Sequence, residues 1–207
     1  MLGLVLNNFY LIMYNLKTNI VISVSLLAGY VFFNVEIFLF MAILVVLVMI
    51  PCTAFSTVRD AKVSKWDLVE KQMPVKKRSI VISKYIAFIL LLILAVVTIL
   101  SYVEMFGVEL DMTLLPKISG LRTMTVEGLI RICITEAILM CMLYFPLAYS
   151  FDAKNPDLVL TISVGASIVV VKIIQNMGVE VEIALLAIGL LLSGYASCMI
   201  QMVKNKE

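Results

Sequence analysis

The sequence predicts an all-α polytopic membrane protein with six transmembrane helices. Of its 207 residues, 63% are hydrophobic and only 14% are charged, and the mean hydropathy is +1.11. A soluble domain of this size carries roughly a quarter charged residues. The charged residues are also bunched between long apolar runs. Both features are typical of a chain that crosses a bilayer several times.

Six apolar runs predict the spans. A hydrocarbon core about 30 Å thick needs around 20 helical residues. The runs that reach or approach this length are Ile20–Phe33, Ile37–Phe55, Ile80–Val103, Gly128–Phe151, Leu158–Ile174 and Ile183–Val203. The first run is short, so we expect it to take residues from the segment before it. The whole chain, 1–207, is therefore predicted to be a single transmembrane domain.

Residues 1–19 have the pattern of an amphipathic helix. Apolar residues recur there at helical spacing, at Val5, Phe9, Ile12 and Leu16, while Asn8, Asn15 and Asn19 are expected on other faces. An interfacial helix along the cytoplasmic leaflet fits this pattern. The alternative is one long, tilted first span that starts near Phe9.

The distribution of Lys and Arg predicts the orientation, because these residues favour cytoplasmic loops. With the N-terminus inside, only four of the 16 basic residues lie on the outer side, namely Lys117, Arg122, Arg131 and Lys172. Both termini are therefore predicted to be cytoplasmic. Residues 104–127 form the longest predicted outer loop.

The cytoplasmic loop between spans two and three, residues 56–79, contains the signals of a short helix. Ser64 can cap a helix, Asp67 lies three residues later, and Pro74 cannot continue it. A helix of about two turns is marginal in water by itself, so something must hold it. Trp66, the single tryptophan of the chain, has the profile of an interface anchor.

We therefore expect this loop to dock on a partner. The predicted docking residues are Lys65, Trp66, Asp67, Val69, Glu70 and Met73. Basic residues that follow Pro74 are expected at the lipid headgroups, with the last one snorkelling from the third span: Lys76, Lys77, Arg78 and Lys84. The alternative is that the basic segment only fixes the topology through its charge.

Two charged residues are predicted inside spans. Glu136 lies roughly 12 Å below the outer edge of span four, and Lys172 lies roughly 21 Å above the cytoplasmic end of span five. An ionisable group at such depth is costly and is a functional candidate. The two could form a polar pair that lines a path or a subunit seam. A buried structural pair, or a Lys172 that snorkels outward, is the alternative.

Several kinds of chemistry are excluded or disfavoured. The chain has no histidine, which removes Ser/His catalysis and His-based metal sites. No GxxxxGK[S/T] phosphate loop occurs, so the chain does not hydrolyse a nucleotide by that route. The four cysteines lie in apolar runs without a CxxC motif. A net charge of +2 without an aromatic-interleaved basic stripe gives no sign of nucleic-acid binding.

The segment "RDAKVSKWDLVEKQMPVKKRSIVISKYI" (59–86) resembles the signature of small six-span permeases of bacterial ABC type-2 transporters. The positions that fit are Asp60, Lys65, Trp66, Pro74, Val75, Arg78, Val81, Ser83, Lys84 and Tyr85. "YFPLAYSFDAKNPDLVL" (144–160), a Pro-containing span end before a short cytoplasmic loop, also resembles this family. Gln72 and Met73 depart from it, because many relatives have a small residue or leucine before the proline.

The resemblance implies a non-enzymatic permease subunit of an exporter in the bacterial plasma membrane. Such a subunit pairs with a second permease, identical or paralogous, and with two copies of a separately encoded ATPase. ATP and Mg²⁺ bind that ATPase, and no cofactor is implied for this chain. The loop between spans two and three would carry the coupling helix. Relatives export phenol-soluble modulins or are linked to antimicrobial peptides, which implies an amphipathic peptide or a lipid-like substrate.

Two other classes stay open at the level of sequence. One is a membrane anchor or immunity subunit that does not transport, and the other is the substrate-capture component of an importer. Copurification with an ATPase, and stimulation of its activity, would separate the permease from both.

Overall fold

The structure, a computed structural model, describes residues 2–63, 76–108, 125–150, 156–174 and 179–203. These residues form six helices and no β-strand. The helices are α1 (Leu2–Phe33), α2 (Glu36–Leu44, Val45–Met49 and Ile50–Val63), α3 (Lys77–Phe106), α4 (Val126–Ser150), α5 (Pro156–Ile174) and α6 (Val179–Val203). Each contains a segment long and apolar enough to cross a membrane. The predicted all-α polytopic fold with six spans is confirmed.

The bundle has two ends, which we name by the helices that meet there. At the loop end, α2 ends at Val63 and α3 begins at Lys77. At the far end, α1 ends at Phe33 and α4 begins at Val126. The sequence predicts that the loop end is cytoplasmic. This orientation stays a prediction.

Helix α1 is continuous, without a break near residue 20. It has 32 residues and is therefore about 48 Å long, which exceeds the hydrocarbon thickness of a bilayer. The segment expected to lie along the membrane surface and the first span are parts of this one helix. Asn8 differs from expectation, because its side chain is buried and donates a hydrogen bond to the Ser83 hydroxyl of α3 (3.0 Å). It shares a face with Ile12 and Leu16, which are also buried.

Helix α2 changes its winding in the middle. Val45–Met49 is a π-helical segment, in which the Ile50 N–H bonds to the Val45 carbonyl. Pro51 follows and has no N–H to donate to the preceding turn. The Asn19 side chain of α1 donates to the Met49 carbonyl (3.2 Å). The part of α2 at the loop end can therefore take a direction different from that of the part at the far end.

The core lies between α2, α3 and α4, and α4 also packs against α5 and α6. Helices α1, α5 and α6 carry many exposed apolar side chains on their outer faces, among them Tyr10, Phe32, Val169 and Leu191. In water such faces would be unfavourable, but lipid chains solvate them. The burial pattern is thus that of a bundle with its peripheral helices in a membrane.

Helix α3 ends in a Schellman cap at the far end. Gly107 adopts the left-handed conformation with φ of 59°. The Val108 N–H bonds to the Val103 carbonyl (3.0 Å), and the Gly107 N–H reaches the Glu104 carbonyl (3.4 Å). This pattern satisfies carbonyls that the helix itself leaves unpaired.

Replacing Gly107 by alanine should lower the free energy of unfolding by about 1 kcal/mol, because an L-residue is disfavoured at this φ. Thermal unfolding of the purified protein in detergent, followed by far-UV circular dichroism, measures the change. Gly165→Ala is the control, because Gly165 lies within α5 with open space around it. Alanine is the better helix former there, so this variant should be as stable as the parent or more so. Equal destabilisation by both substitutions would contradict the role of the cap.

Candidate functional site

The predicted docking helix lies outside the described residues. This applies to Lys65, Trp66, Asp67, Val69, Glu70, Met73 and Pro74. The structure does describe the two helices that this segment connects, α2 up to Val63 and α3 from Lys77. The role of the docking residues stays a prediction, and the described site is the part of the bundle that would receive their movement.

The basic residues at the start of α3 divide into two environments. Lys76 and Arg78 are exposed, as expected for side chains at lipid headgroups, while only the backbone of Lys77 is described. Lys84 is only 3% exposed, so it lies inside the bundle and does not snorkel to the surface as expected. The reason is helical spacing, because Lys84 lies on the face of α3 that also carries the buried residues Val81 and Phe88.

An aromatic cluster joins α2 to α3 and α4 near the loop end. The Phe55 ring centroid lies 4.5 Å from that of Tyr144, 5.6 Å from that of Phe145 and 5.9 Å from that of Phe88. The Tyr144 hydroxyl donates to the Phe55 carbonyl (3.3 Å). Tyr85 extends the cluster, with its ring centroid 4.6 Å from that of Phe145. We call these five residues the Phe55 cluster.

An ion pair links the same part of α2 to α5. Arg59 Nε lies 3.5 Å from Asp157 Oδ1, and the two side chains are 54% and 69% exposed. Such an exposed pair contributes little to stability. It does, however, place the last turns of α2 beside the first turn of α5. The end of α2 therefore contacts α3 and α4 through aromatic rings and α5 through charge.

A chain of hydroxyl groups joins α3 to α6 and α4. The Ser193 hydroxyl donates to the Met142 carbonyl (2.8 Å). Because that proton is used, the Tyr85 hydroxyl donates to Ser193 (2.7 Å), and Ser197 donates to Tyr85 (3.0 Å). The small residues of α6 thus serve internal packing at Ser193 and Ser197. Gly194, in contrast, has open space beside it.

A buried carboxylate links α4 to α6 near the far end. Glu182 is only 3% exposed, and its Oε2 accepts hydrogen bonds from the Nε (2.7 Å) and Nη2 of Arg131. The Thr135 hydroxyl donates to the other oxygen, Oε1 (2.5 Å). Both oxygens of the carboxylate are therefore used in a bonded, charge-balanced group.

Sequence reasoning missed this group because its span boundaries were too short. The predicted sixth span began at Ile183, which left Glu182 outside the membrane. The helix begins earlier, at Val179. Helices α4 and α6 both start at the far end and run in the same direction. Arg131 lies about 7 Å from the start of α4, and Glu182 lies about 5 Å from the start of α6, so the two are at a similar depth. Opposite charges at matching depth in two helices of the same direction are the sequence signal that could have predicted the pair.

Glu136, one half of the predicted intramembrane pair, has a partner on α5. The Ser167 hydroxyl donates to Glu136 Oε1 (2.5 Å) and also contacts the Val164 carbonyl. Lys172 lies five residues further along the same helix, and its side chain is exposed. Glu136 thus contacts α5, the helix that carries Lys172, through the Ser167 hydroxyl. Its pairing with Lys172 stays a prediction.

The Arg131–Glu182 contact predicts a stability coupling between α4 and α6. Arg131→Gln and Glu182→Gln should each lower the free energy of unfolding by about 1–3 kcal/mol, because each leaves a desolvated charge without its partner. The double variant should lose less than the sum of the two changes. Unfolding in detergent measures all three variants. Glu127→Gln, an exposed position in the first turn of α4, is the control and should change stability by less than about 0.5 kcal/mol. Strictly additive losses would show that the pair is not coupled.

Among the residues that the structure describes, no group of three or more Cys, Asp or Glu side chains could hold a metal ion.

Comparison with known proteins supplies the family. No curated protein and no solved structure matches the chain. The family model described as ABC-2 family transporter protein matches residues 3–204. With nearly the whole chain and all six spans inside that match, the chain belongs to the ABC-2 transporter family and is a membrane permease component of an ABC transporter, whose family partner is an ABC ATPase.

Proposed function

We propose that this permease is the membrane subunit of an exporter that couples to a separately encoded ATPase through the loop between α2 and α3. In this proposal two permease subunits, identical or paralogous, assemble with two ATPase subunits in a bacterial plasma membrane. ATP and Mg²⁺ bind the ATPase, and the permease performs no chemistry of its own. The observation that carries the coupling is the Phe55 cluster, because it joins the helix that leads into the loop to two other spans.

The first step of the coupling is a force on residues 64–75. These residues connect the end of α2 with the start of α3, so an ATPase bound there pulls or pushes on both helices. Phe55 lies eight residues before the end of α2, about 12 Å from it. Close aromatic packing tolerates little sliding, so a displaced Phe55 moves Tyr144 and Phe145 with it. The Arg59–Asp157 pair adds a contact to α5.

Irregular segments in α2 and α4 allow these helices to bend when the loop moves. On the far-end side of Phe55, the π-helical segment Val45–Met49 and Pro51 weaken the backbone hydrogen bonding of α2. In α4, Pro146 follows Phe145 directly. Two of the three helices that meet at the Phe55 cluster, α2 and α4, thus have a weak point beside it, at which the loop end can swing relative to the far end.

The direction and the substrate in this proposal rest on the family resemblance. The permeases that this chain resembles include exporters of phenol-soluble modulins and others linked to antimicrobial peptides, so the substrate that we propose is an amphipathic peptide or a lipid-like molecule. Glu136, half-buried between α4 and α5, is the polar group that we assign to its path.

Trp66→Ala should weaken ATPase binding. A central aromatic anchor contributes about 2 kcal/mol or more, which corresponds to roughly thirtyfold in affinity. The permease is purified from its native membranes with its ATPase, and the yield of the complex and its ATPase rate in nanodiscs are measured. Phe33→Ala is the control, because it removes an exposed aromatic at the far end and should leave both values unchanged. An unchanged complex with Trp66→Ala would refute the docking role.

Phe55→Leu should separate binding from coupling. The loop is intact in this variant, so the ATPase should still copurify, but its stimulation by the permease should fall severalfold because the cluster no longer transmits the movement. Phe38→Leu at the other end of the same helix is the control. Full stimulation in Phe55→Leu, with the complex intact, would show that the movement takes another route.

A further inference from the structure

A second surface of the bundle has the features of a ligand site. An open groove of about 420 Å³ runs between α3 and α6 on the outside of the bundle. Tyr85, bonded to Ser193 and Ser197, forms part of its floor. Its walls are apolar and include Ile82, Ile86, Ile89, Leu190 and Leu191. A volume of this size is within the range of small-molecule sites, about 300–1,000 Å³.

The groove has one charged end. Among the described residues that line it, Arg78 is the single charged one, and it lies at the loop end, in the first turn of α3. Lys76 is exposed two residues earlier. Within the same described lining there is no acidic side chain. The charge of Arg78 is therefore available to an anionic group from the surroundings, while the rest of the groove offers mainly apolar contact.

The length of the groove matches one leaflet of a bilayer. On α3 the lining extends from Arg78 to Ile89, eleven residues or about 16 Å, and on α6 from Met202 to Leu190, about 18 Å. Half of a hydrocarbon core about 30 Å thick is about 15 Å. A groove of this length that starts with Arg78 at headgroup level therefore stops near the middle of the membrane.

We propose that this groove is a specific site for an anionic phospholipid of the leaflet at the loop end. The phosphate lies at Arg78, and an acyl chain lies along the isoleucines of α3 and the leucines of α6. Basic residues at the ends of grooves between spans are a recurrent means of binding anionic headgroups. The site does not depend on the direction of transport or on the substrate.

The groove between α4 and α6 at the far end shows why charge decides the ligand. It has a similar volume, about 460 Å³, and similar apolar walls. Its Arg131, however, is bonded to Glu182, and Glu127 lines the same groove. Its cation is therefore already neutralised, and an anionic headgroup would meet a second carboxylate. The two grooves thus have similar volumes and similar apolar walls. Of the two, only the α3–α6 groove offers a cation without an acidic neighbour among its described lining residues.

The test measures lipid bound to the purified permease–ATPase complex. The complex is reconstituted in nanodiscs with equal amounts of phosphatidylglycerol and phosphatidylcholine, released in the mass spectrometer, and its retained lipids are counted. We expect phosphatidylglycerol to be retained preferentially. Arg78→Gln should reduce its retention about fivefold, the effect of one basic residue near an anionic headgroup. Lys76→Gln, a basic neighbour outside the groove, should reduce it by less than about twofold.

A second pair of variants tests the groove independently of charge. Gly194 lines the groove, and a Cβ atom added to it would meet no atom within 4 Å; the same is true of Gly165 on α5 outside the groove. Gly194→Leu should fill the groove and displace the lipid, whereas Gly165→Leu should not. If Gly194→Leu fails to yield a folded complex, Leu191→Trp fills the same groove from an exposed position.

Three results would overturn the proposal. Equal losses with Arg78→Gln and Lys76→Gln would show that only general surface charge attracts the lipid. Full retention in Gly194→Leu or Leu191→Trp would show that the lipid binds elsewhere. A change in the number of permease copies in the complex, again in Gly194→Leu or Leu191→Trp, would show that another chain covers the groove.

Discussion

The packing of Phe55 against α3 and α4 is the interaction on which the rest of the bundle depends. Helix α2 leads from the far end into the loop, and in its loop-end half the Phe55 ring packs against aromatic rings of both α3 and α4. Aromatic pairs add energy beyond the area that they bury, and their geometry is specific. In the coupling that we propose, this contact makes a displaced α2 move α3 and α4 with it.

Polar contacts occur in both halves of the bundle. Near the far end, charge is buried and neutralised between Arg131 and Glu182. In the loop half, hydroxyl groups of Tyr85 and Ser193 satisfy one another and a backbone carbonyl. At the loop end itself, Arg59 and Arg78 are exposed. The far half thus contains a buried ion pair that is costly to break in a low dielectric, whereas the loop half combines hydroxyl hydrogen bonds with aromatic packing.

Composition and periodicity were sufficient to predict the six spans, since the apolar runs alone require them. The contacts within the spans were not predictable in the same way. Phe55 lies in an apolar run like many other residues, and nothing in the local sequence says which ring it will meet. Glu182 was missed because its helix starts one turn earlier than the apolar run. Lys84 was assigned to the surface by its charge, although its helical position places it on the buried face of α3.

The bond between Arg131 and Glu182 also constrains how the protein is made. The two residues are 51 positions apart, and α4 leaves the ribosome well before α6. Until α6 arrives, the guanidinium of α4 is inside a hydrophobic environment without its carboxylate, which is unfavourable. This favours a nascent α4 whose Arg131 stays at the membrane surface until translation of the last helix supplies the counter-ion. The Arg131–Glu182 contact thus links the energetics of inserting α4 to the later insertion of α6.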